Sequence, residues 1–248
     1  MVQGISIRNS NQRVLIANAQ YGLAFVGNAT YTGTAKPLSY SANPLDTPVP
    51  GSGAPFMVYQ ITCEFPPISF IQLVNGYFVF SSTTNVGGNT WEIVVGGNSF
   101  STPPIVKCFA RLSGPGVSGR VGLRVRDTQT PQNRCWDSTE KMLVLQRKLD
   151  WPAAANASTE DIHQDQALTG IAQPYIISTI NSVEAGHFHQ AQGARQRVDV
   201  FSNGWTWVNG VLTRSSRAIK RYSYLDDTRP QDNQLPAERC YIIDGNRY

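Results

Sequence analysis

The stretch Gly122-Leu-Arg-Val-Arg-Asp127 decides the fold class of this chain, because apolar and polar residues alternate along it. Residues two apart on a β-strand face the same side, so Leu123 and Val125 are expected on a buried face and the arginines on a solvated one. A polar turn and then Arg134-Cys-Trp-Asp137 follow. The stretch therefore predicts an antiparallel β-hairpin.

A similar pattern occurs near the N-terminus. Gly4-Ile-Ser-Ile-Arg-Asn9, a polar turn and Arg13-Val-Leu-Ile16 repeat the order glycine, apolar, polar, apolar, arginine, Asn or Asp, turn, arginine. Matching Arg13 with Arg134 makes the second turn three residues longer (six residues between Asp127 and Arg134, three between Asn9 and Arg13). We interpret this as one hairpin written twice. It predicts two related β sections, an N-terminal domain over 1–118 and a C-terminal domain over 119–248.

The composition favours strands and turns over helices. Charged residues make up 15% of the chain, against about 25% in an average globular protein. We therefore predict a mainly β protein of sandwich-like antiparallel sheets with little helix. Lys36 to Pro55 contains five prolines and two glycines, which predicts a long loop. Asp137-Ser-Thr-Glu140 has the order of a helix cap, and Ala153 to Leu168 is the better helix candidate.

Charge and hydropathy exclude several classes of partner. The net charge of +4 is mild, and the densest basic run (Arg214, Arg217, Lys220, Arg221) fits a solvated strand, so nucleic acid is not the expected partner. No stretch approaches the ~20 apolar residues of a spanning helix. The N-terminal residues lack the apolar run of a signal peptide. The four cysteines are far apart, which favours reduced thiols over a zinc site.

Catalytic motifs are weak, and we expect no enzyme and no cofactor. Gly114 to Gly119 matches the dinucleotide pattern G-x-G-x-x-G only as a string, because an alternating strand follows where a helix is needed. Asp226 and Asp227 are adjacent, and neighbouring strand residues point to opposite faces, so they make a poor catalytic pair.

Two histidines form a candidate metal site. His187-Phe-His189 places two imidazoles on one face of a predicted strand, ~7 Å apart along the chain. One chain supplies two ligands, whereas three copies on a symmetry axis supply six nitrogens and an octahedral site. The alternative is a pair of ordinary surface histidines.

Two tryptophans form a candidate ligand site. Trp205 and Trp207 lie on one face of a predicted strand, between Asn203-Gly204 and Asn209-Gly210. Two indoles on one face are more typical of the core of a sandwich, and the alternative is a sugar-stacking platform. The platform interpretation makes the chain a carbohydrate-binding module or adhesin.

The hairpins also resemble a known family. Small phage tail proteins often begin with glycine, apolar, any residue, apolar, then Asn or Asp, a turn, and an apolar strand that ends in Asp-Ser. Met1 to Ile16 is similar to this pattern, and Gly122 to Asp127 followed by Cys135-Trp-Asp-Ser138 resembles it more fully. Ala17-Asn18 departs from it, since they replace the first Asp-Ser.

The resemblance implies a structural component of a phage virion tail, in the tail tip, the baseplate or the fibre attachment. Such a protein assembles in the host cytoplasm and is found in the virion. Its expected partners are other virion tail proteins and further copies of itself, and, at the host surface, a glycan.

Overall fold

The computed structural model describes residues 6–8, 14–17, 22–36, 47–53, 56–74, 77–98, 102–112, 124–126, 134–152, 163–178, 186–192, 195–224 and 237–248. Within these ranges the chain forms nineteen β-strands and no α-helix, and its one helical turn is the 3-10 turn Gly245–Arg247. The prediction of a mainly β, sandwich-like protein is confirmed.

The strands before residue 119 are β1 (Ser6–Arg8), β2 (Val14–Ala17), β3 (Leu23–Asn28), β4 (Thr30–Lys36), β5 (Thr47–Gly53), β6 (Phe56–Thr62), β7 (Ile68–Gln72), β8 (Tyr77–Gly87), β9 (Thr90–Asn98) and β10 (Val106–Arg111). We call them the first section. The second section contains β11 (Arg124–Arg126), β12 (Arg134–Asp137), β13 (Arg147–Trp151), β14 (His163–Ala167), β15 (Pro174–Ser178), β16 (Gly186–Gln192), β17 (Arg195–Val208), β18 (Val211–Tyr224) and β19 (Glu238–Asp244).

Both large sheets contain strands of both sections, in mirrored order. The six-stranded sheet runs β3-β10-β7-β15-β19-β13, and the nine-stranded sheet contains the path β4-β6-β9-β8-β17-β18-β14. Apart from the hairpin strands and the extra strands β4, β5 and β16, each section has six strands, of which the first, third and last go to the six-stranded sheet: β3, β7 and β10, then β13, β15 and β19. The others go to the nine-stranded sheet: β6, β8 and β9, then β14, β17 and β18. The two sections therefore repeat one strand plan and share both sheets.

The six-stranded sheet is closed on itself by the segment 141–151. At one end of this segment Met142 bridges Ala24 of β3, and Leu143 N–H donates to the Leu23 carbonyl at 2.7 Å. At the other end β13 pairs with β19. One continuous segment is thus hydrogen-bonded to strands near both edges of the same sheet. Apolar side chains from several strands of this sheet pack together on one of its faces.

Alternation along the strands separates two apolar clusters. Val106 and Cys108 of β10 lie in the larger cluster between the two sheets, with Ile93 and Val95 of the nine-stranded sheet. Phe109 belongs to the smaller cluster, with Phe70, Tyr175 and Ile243. Period-two alternation of side chains accounts for this division, because successive residues of a strand point to opposite faces.

Two predictions about local structure are wrong. The predicted loop from Lys36 to Pro55 contains β5, which pairs with β18. Its prolines are tolerated because β18 is its only partner strand among the described residues, and edge strands accept proline. The predicted helix over 153–168 ends in β14, which pairs with Val211–Ser215 of β18. Cross-strand pairing overrides the weak helical pattern there, and Ala153 to Ile162 lie outside the described residues.

In the part of the chain that the structure describes, no helix is long and apolar enough to cross a membrane.

Candidate functional site

The two predicted hairpins are present and have the same register. The pairs of β1 and β2 are Ser6 with Ala17, Ile7 with Ile16 and Arg8 with Val14. The pairs of β11 and β12 are Arg124 with Asp137, Val125 with Trp136 and Arg126 with Arg134. In both, the register shifts after the second pair. The repeated sequence pattern therefore produces two hairpins with an irregularity at the same position.

The register corrects the predicted match of the second strands. Arg8 pairs with Val14 and Arg126 with Arg134, so Arg134 corresponds to Val14 and not to Arg13. Between these pairs lie residues 9–13 and 127–133, and the second connection is two residues longer (7 − 5), not three. The prediction ignored the register shift, which skips one residue of each second strand.

Asp137 is the centre of a buried polar network at the end of the second hairpin. Its Oδ2 accepts hydrogen bonds from Arg124 Nε at 2.8 Å and Arg134 Nη1 at 2.9 Å. Its Oδ1 accepts from the Thr139 backbone N–H at 2.9 Å and the Thr139 hydroxyl at 2.7 Å. The Asp137 side chain has no exposed surface. All of this is local in sequence, so the network fixes the hairpin to the turn that follows it.

The electrostatics keep Asp137 ionised. Burial alone would raise the pKa of its carboxyl group, but the hydrogen bonds from Thr139, Arg134 and Arg124 outweigh burial and hold the pKa well below its usual range. Burial likewise disfavours the charged form of Arg134, yet bonds to Glu140 and Asp137 raise its pKa. Glu140 accepts from Arg134 at 2.9 Å, which completes a chain of paired charges.

The first hairpin has none of these charges at the matching positions. Ser6 stands in the position of Arg124, Val14 in that of Arg134 and Ala17 in that of Asp137. The Asp-Ser ending of the second hairpin therefore has a structural reason, which is the buried carboxylate of Asp137. The first hairpin ends in Ala-Asn and has no arginine at the positions that correspond to Arg124 and Arg134.

A second buried ion pair joins the two sheets in the second section. Arg214 Nε of β18 lies 3.1 Å from Glu238 Oε2 of β19, and the two side chains are 1% and 0% exposed. Arg214 also donates to the Pro152 carbonyl at 3.1 Å. Burial lowers the pKa of Arg214, against the stabilising charge of Glu238. Arg214 is thus a core residue, unlike the solvated cation that the sequence predicted.

The tryptophans are placed on the core side of the nine-stranded sheet. Trp205 is buried within the cluster between the sheets, and Trp207 is half-buried and packs against that cluster. Trp205 is therefore a core residue. Of the two tryptophans, Trp207 has the exposed surface that a sugar could contact.

The histidines lie in β16, where His187 pairs with Val200 and His189 with Val198 of β17. The predicted strand is therefore present, and alternate positions put both residues on one face of it. Among the described residues, no three His, Cys, Asp or Glu side chains are grouped to hold a metal ion.

Three cysteines are free thiols: Cys63, Cys108 and Cys240. Burial raises the pKa of Cys108 to about 12, so it is an inert core residue and not a nucleophile. The motif from Gly114 to Gly119 and the pair Asp226 and Asp227 lie outside the described residues.

Sequence reasoning placed Asp137 at the end of the second hairpin and also in a cap-like order, but it missed the buried network that Asp137 forms. The available signal was the hairpin pattern itself, in which the second strand ends in Asp-Ser and each of the two strands contains arginine. Comparisons with protein-family models, with curated protein sequences and with solved structures found no match.

Proposed function

We propose that this protein is a structural component of a phage virion tail, in the tail tip, the baseplate or the fibre attachment, and that it works through protein–protein contacts. The observation that carries the proposal is the hairpin of β11 and β12. It ends in the Asp-Ser of the phage-tail pattern, and its aspartate is the buried anchor of the element. The aspartate of the Asp-Ser pattern thus has a physical role, which is to stabilise the hairpin.

The chemistry of the anchor suits a structural role. Asp137 accepts four hydrogen bonds from three residues, Arg124, Arg134 and Thr139. A carboxylate with that many partners and no exposed surface has no capacity left for a substrate or for proton transfer at neutral pH. The network stiffens the hairpin, as a contact element in an assembly requires.

The two hairpins are the elements that we assign to partner contacts. β1 with β2 and β11 with β12 form separate two-stranded sheets, outside the two large ones. A two-stranded hairpin is only marginally stable by itself, so a neighbouring subunit that packs on it adds stability. We expect those neighbours to be other tail proteins and further copies of this chain.

Incorporation into particles tests the proposal. Virions from lysed host cells are purified on a density gradient, and their peptides are quantified by mass spectrometry. We expect the chain at a fixed ratio to the other tail proteins, and at a reduced ratio in particles that carry Asp137→Ala. Purified, infectious particles that lack the chain would contradict the proposal.

Metal analysis tests the histidine hypothesis separately. If three copies share a site built from His187 and His189, the purified protein is a trimer with one metal ion per three chains, and His189→Ala removes the ion. A metal-free oligomer, or a monomer, contradicts the site and leaves the tail proposal standing.

A further inference from the structure

The strands β17 and β18 are paired with each other over a much longer stretch than β17 is with β8, which leaves a separate part of the nine-stranded sheet. β17 pairs with β8 only through Trp205 and Thr206, while its earlier residues remain paired with β18 back to Gln196. β16 adds to the outer side of β17 and β5 to the outer side of β18. We call the arm the four-stranded part composed of β16, Arg195–Asn203, Ser216–Tyr224 and β5.

Cationic residues are concentrated in the arm. Its strands contain five cations, Arg195, Arg197, Arg217, Lys220 and Arg221, against one anion, Asp199, a net charge of +4 (5 − 1). They also contain two of the three histidines of the chain. Asp46, Glu184, Asp226 and Asp227 are the nearest acidic residues in sequence to β5, β16 and β18, and they lie outside the described residues.

The register divides these charges between the two faces of the arm. Lys220 pairs with Val200, which pairs with His187, so these positions lie in one row across three strands. Arg217 pairs with Ser202, two positions further along the same face of β17. We call the face with His187, His189, Arg217 and Lys220 the histidine face. Arg195, Arg197, Asp199 and Arg221 occupy positions of the opposite face.

The histidine face has a chemistry of its own. At its other positions the register places neutral residues: Gln196, Val198, Val200 and Ser202 of β17, Tyr222 and Tyr224 of β18, and Pro48 and Gly53 of β5. No acidic residue belongs to it within the described strands. A divalent cation next to Lys220 and Arg217 would be repelled, whereas a phosphate, sulfate or carboxylate would be attracted.

We propose that the histidine face binds an acidic polysaccharide, and that protonation of His187 and His189 strengthens the binding. This inference rests on the proposed tail function and names a partner for it, an acidic glycan of the host surface. Histidine gains its charge as the pH falls through about 6.5. The face then carries up to four cations in place of two, and the described strands place no acidic residue on it.

The width of the arm argues against a DNA duplex read through its major groove as the occupant. Four strands ~4.8 Å apart place the two outer backbones about 14 Å from each other, before side chains are added. The major groove of DNA is about 12 Å wide and admits at most a two-stranded ribbon. A flexible acidic chain that lies across the face has no such limit.

Binding of the full-length protein to immobilised dextran sulfate tests the inference, with uncharged dextran, polyglutamate and a DNA duplex as parallel probes. We expect Arg217→Gln/Lys220→Gln to weaken binding to dextran sulfate about tenfold or more. The matched control Arg195→Gln/Arg197→Gln removes the same number of charges from the opposite face, and we expect a loss of at most about threefold. Circular dichroism verifies that both variants keep their strands.

The pH dependence provides a second readout. We expect the unmodified protein to bind more tightly at about pH 5.5 than at about pH 7.5, and His187→Gln/His189→Gln to bind equally at both. An equal loss of affinity for dextran sulfate in Arg217→Gln/Lys220→Gln and in Arg195→Gln/Arg197→Gln would overturn the inference. Tighter binding to polyglutamate or to the duplex, or no binding to dextran sulfate, would also overturn it. Since incorporation into virions is measured independently, such a failure leaves the proposed tail function untouched.

Discussion

The hairpins of β1 with β2 and β11 with β12 have one register and two chemistries. Both shift register after their second pair, but only the second hairpin has a buried aspartate between two arginines. The pattern of apolar and polar residues is enough to set the register, because a slip by one residue would turn every side chain to the wrong face. The charged network is therefore an addition to the hairpin and not its cause.

The same contrast extends to the side chains that pack between the two sheets. In the first section the strands β9 and β10 meet through Ile93, Val95 and Val106, all fully buried. In the second section the corresponding strands β18 and β19 contribute the ion pair of Arg214 and Glu238. A buried ion pair is not more stabilising than apolar packing, but removing one partner is costly because a charge is left buried alone. The second section is therefore expected to be the more sensitive to single substitutions.

The largest expected effect is that of Glu238→Ala. It leaves the Arg214 guanidinium buried without its carboxylate, and we expect a loss of about 3–5 kcal/mol in the free energy of unfolding, measured by urea denaturation. The double variant Arg214→Met/Glu238→Leu imitates the apolar first section, and we expect it to lose less than the single variant. A double variant that is less stable than the single one would break the comparison.

Asp137→Ala is expected to have the next largest effect, a loss of about 3 kcal/mol, because Arg124 and Arg134 lose a buried acceptor. The triple variant Arg124→Ser/Arg134→Val/Asp137→Ala transfers the residues of the first hairpin to the second. We expect it to recover part of that stability in the same urea titration. If the triple variant loses as much stability as Arg124→Ser, Arg134→Val and Asp137→Ala lose in total as single variants, the residues of the first hairpin cannot replace those of the second.

Acid is expected to remove the difference between the hairpins. The pKa of Asp137 is lower in the folded protein than in the unfolded chain, so its contribution to stability is complete above the unfolded pKa of about 3.9 and is lost as the pH falls through the folded pKa. We expect the stability of the parent protein to fall more steeply below pH ~4 than that of Asp137→Asn. Denaturation midpoints at a series of acidic pH values measure both slopes; parallel slopes would assign the acid sensitivity to other carboxylates.

Trp207→Ala is expected to have the smallest effect, a loss of about 1–2 kcal/mol, because the side chain is only half-buried. This variant sharpens the contrast with Trp205, which lies in the core between the sheets. Soluble oligosaccharides that quench tryptophan fluorescence in the parent protein and not in Trp207→Ala would favour a sugar site. Unchanged binding after the substitution would refute that site.

Much of the β structure could be predicted because its cause is local. Alternation in Gly122 to Asp127 predicted β11, and its repetition from Gly4 predicted β1. Local patterns misled where pairing came from far along the chain. β14 and β5 are strands because they form backbone hydrogen bonds with β18. The local sequence of His163–Ala167 and of the proline-rich Thr47–Gly53 does not predict that pairing.

The candidate site divides in the same way. The sequence by itself determined that the chain is built of strands, that a hairpin occurs twice, and that Asp137 ends the second one, because alternation and turn residues act over a few neighbours. Only the tertiary structure decided that Asp137 is buried between two arginines, that Arg214 is a core residue, and that the two sections share both sheets. Burial and ion pairing depend on which distant strands come together, and that depends on the packing of the whole chain.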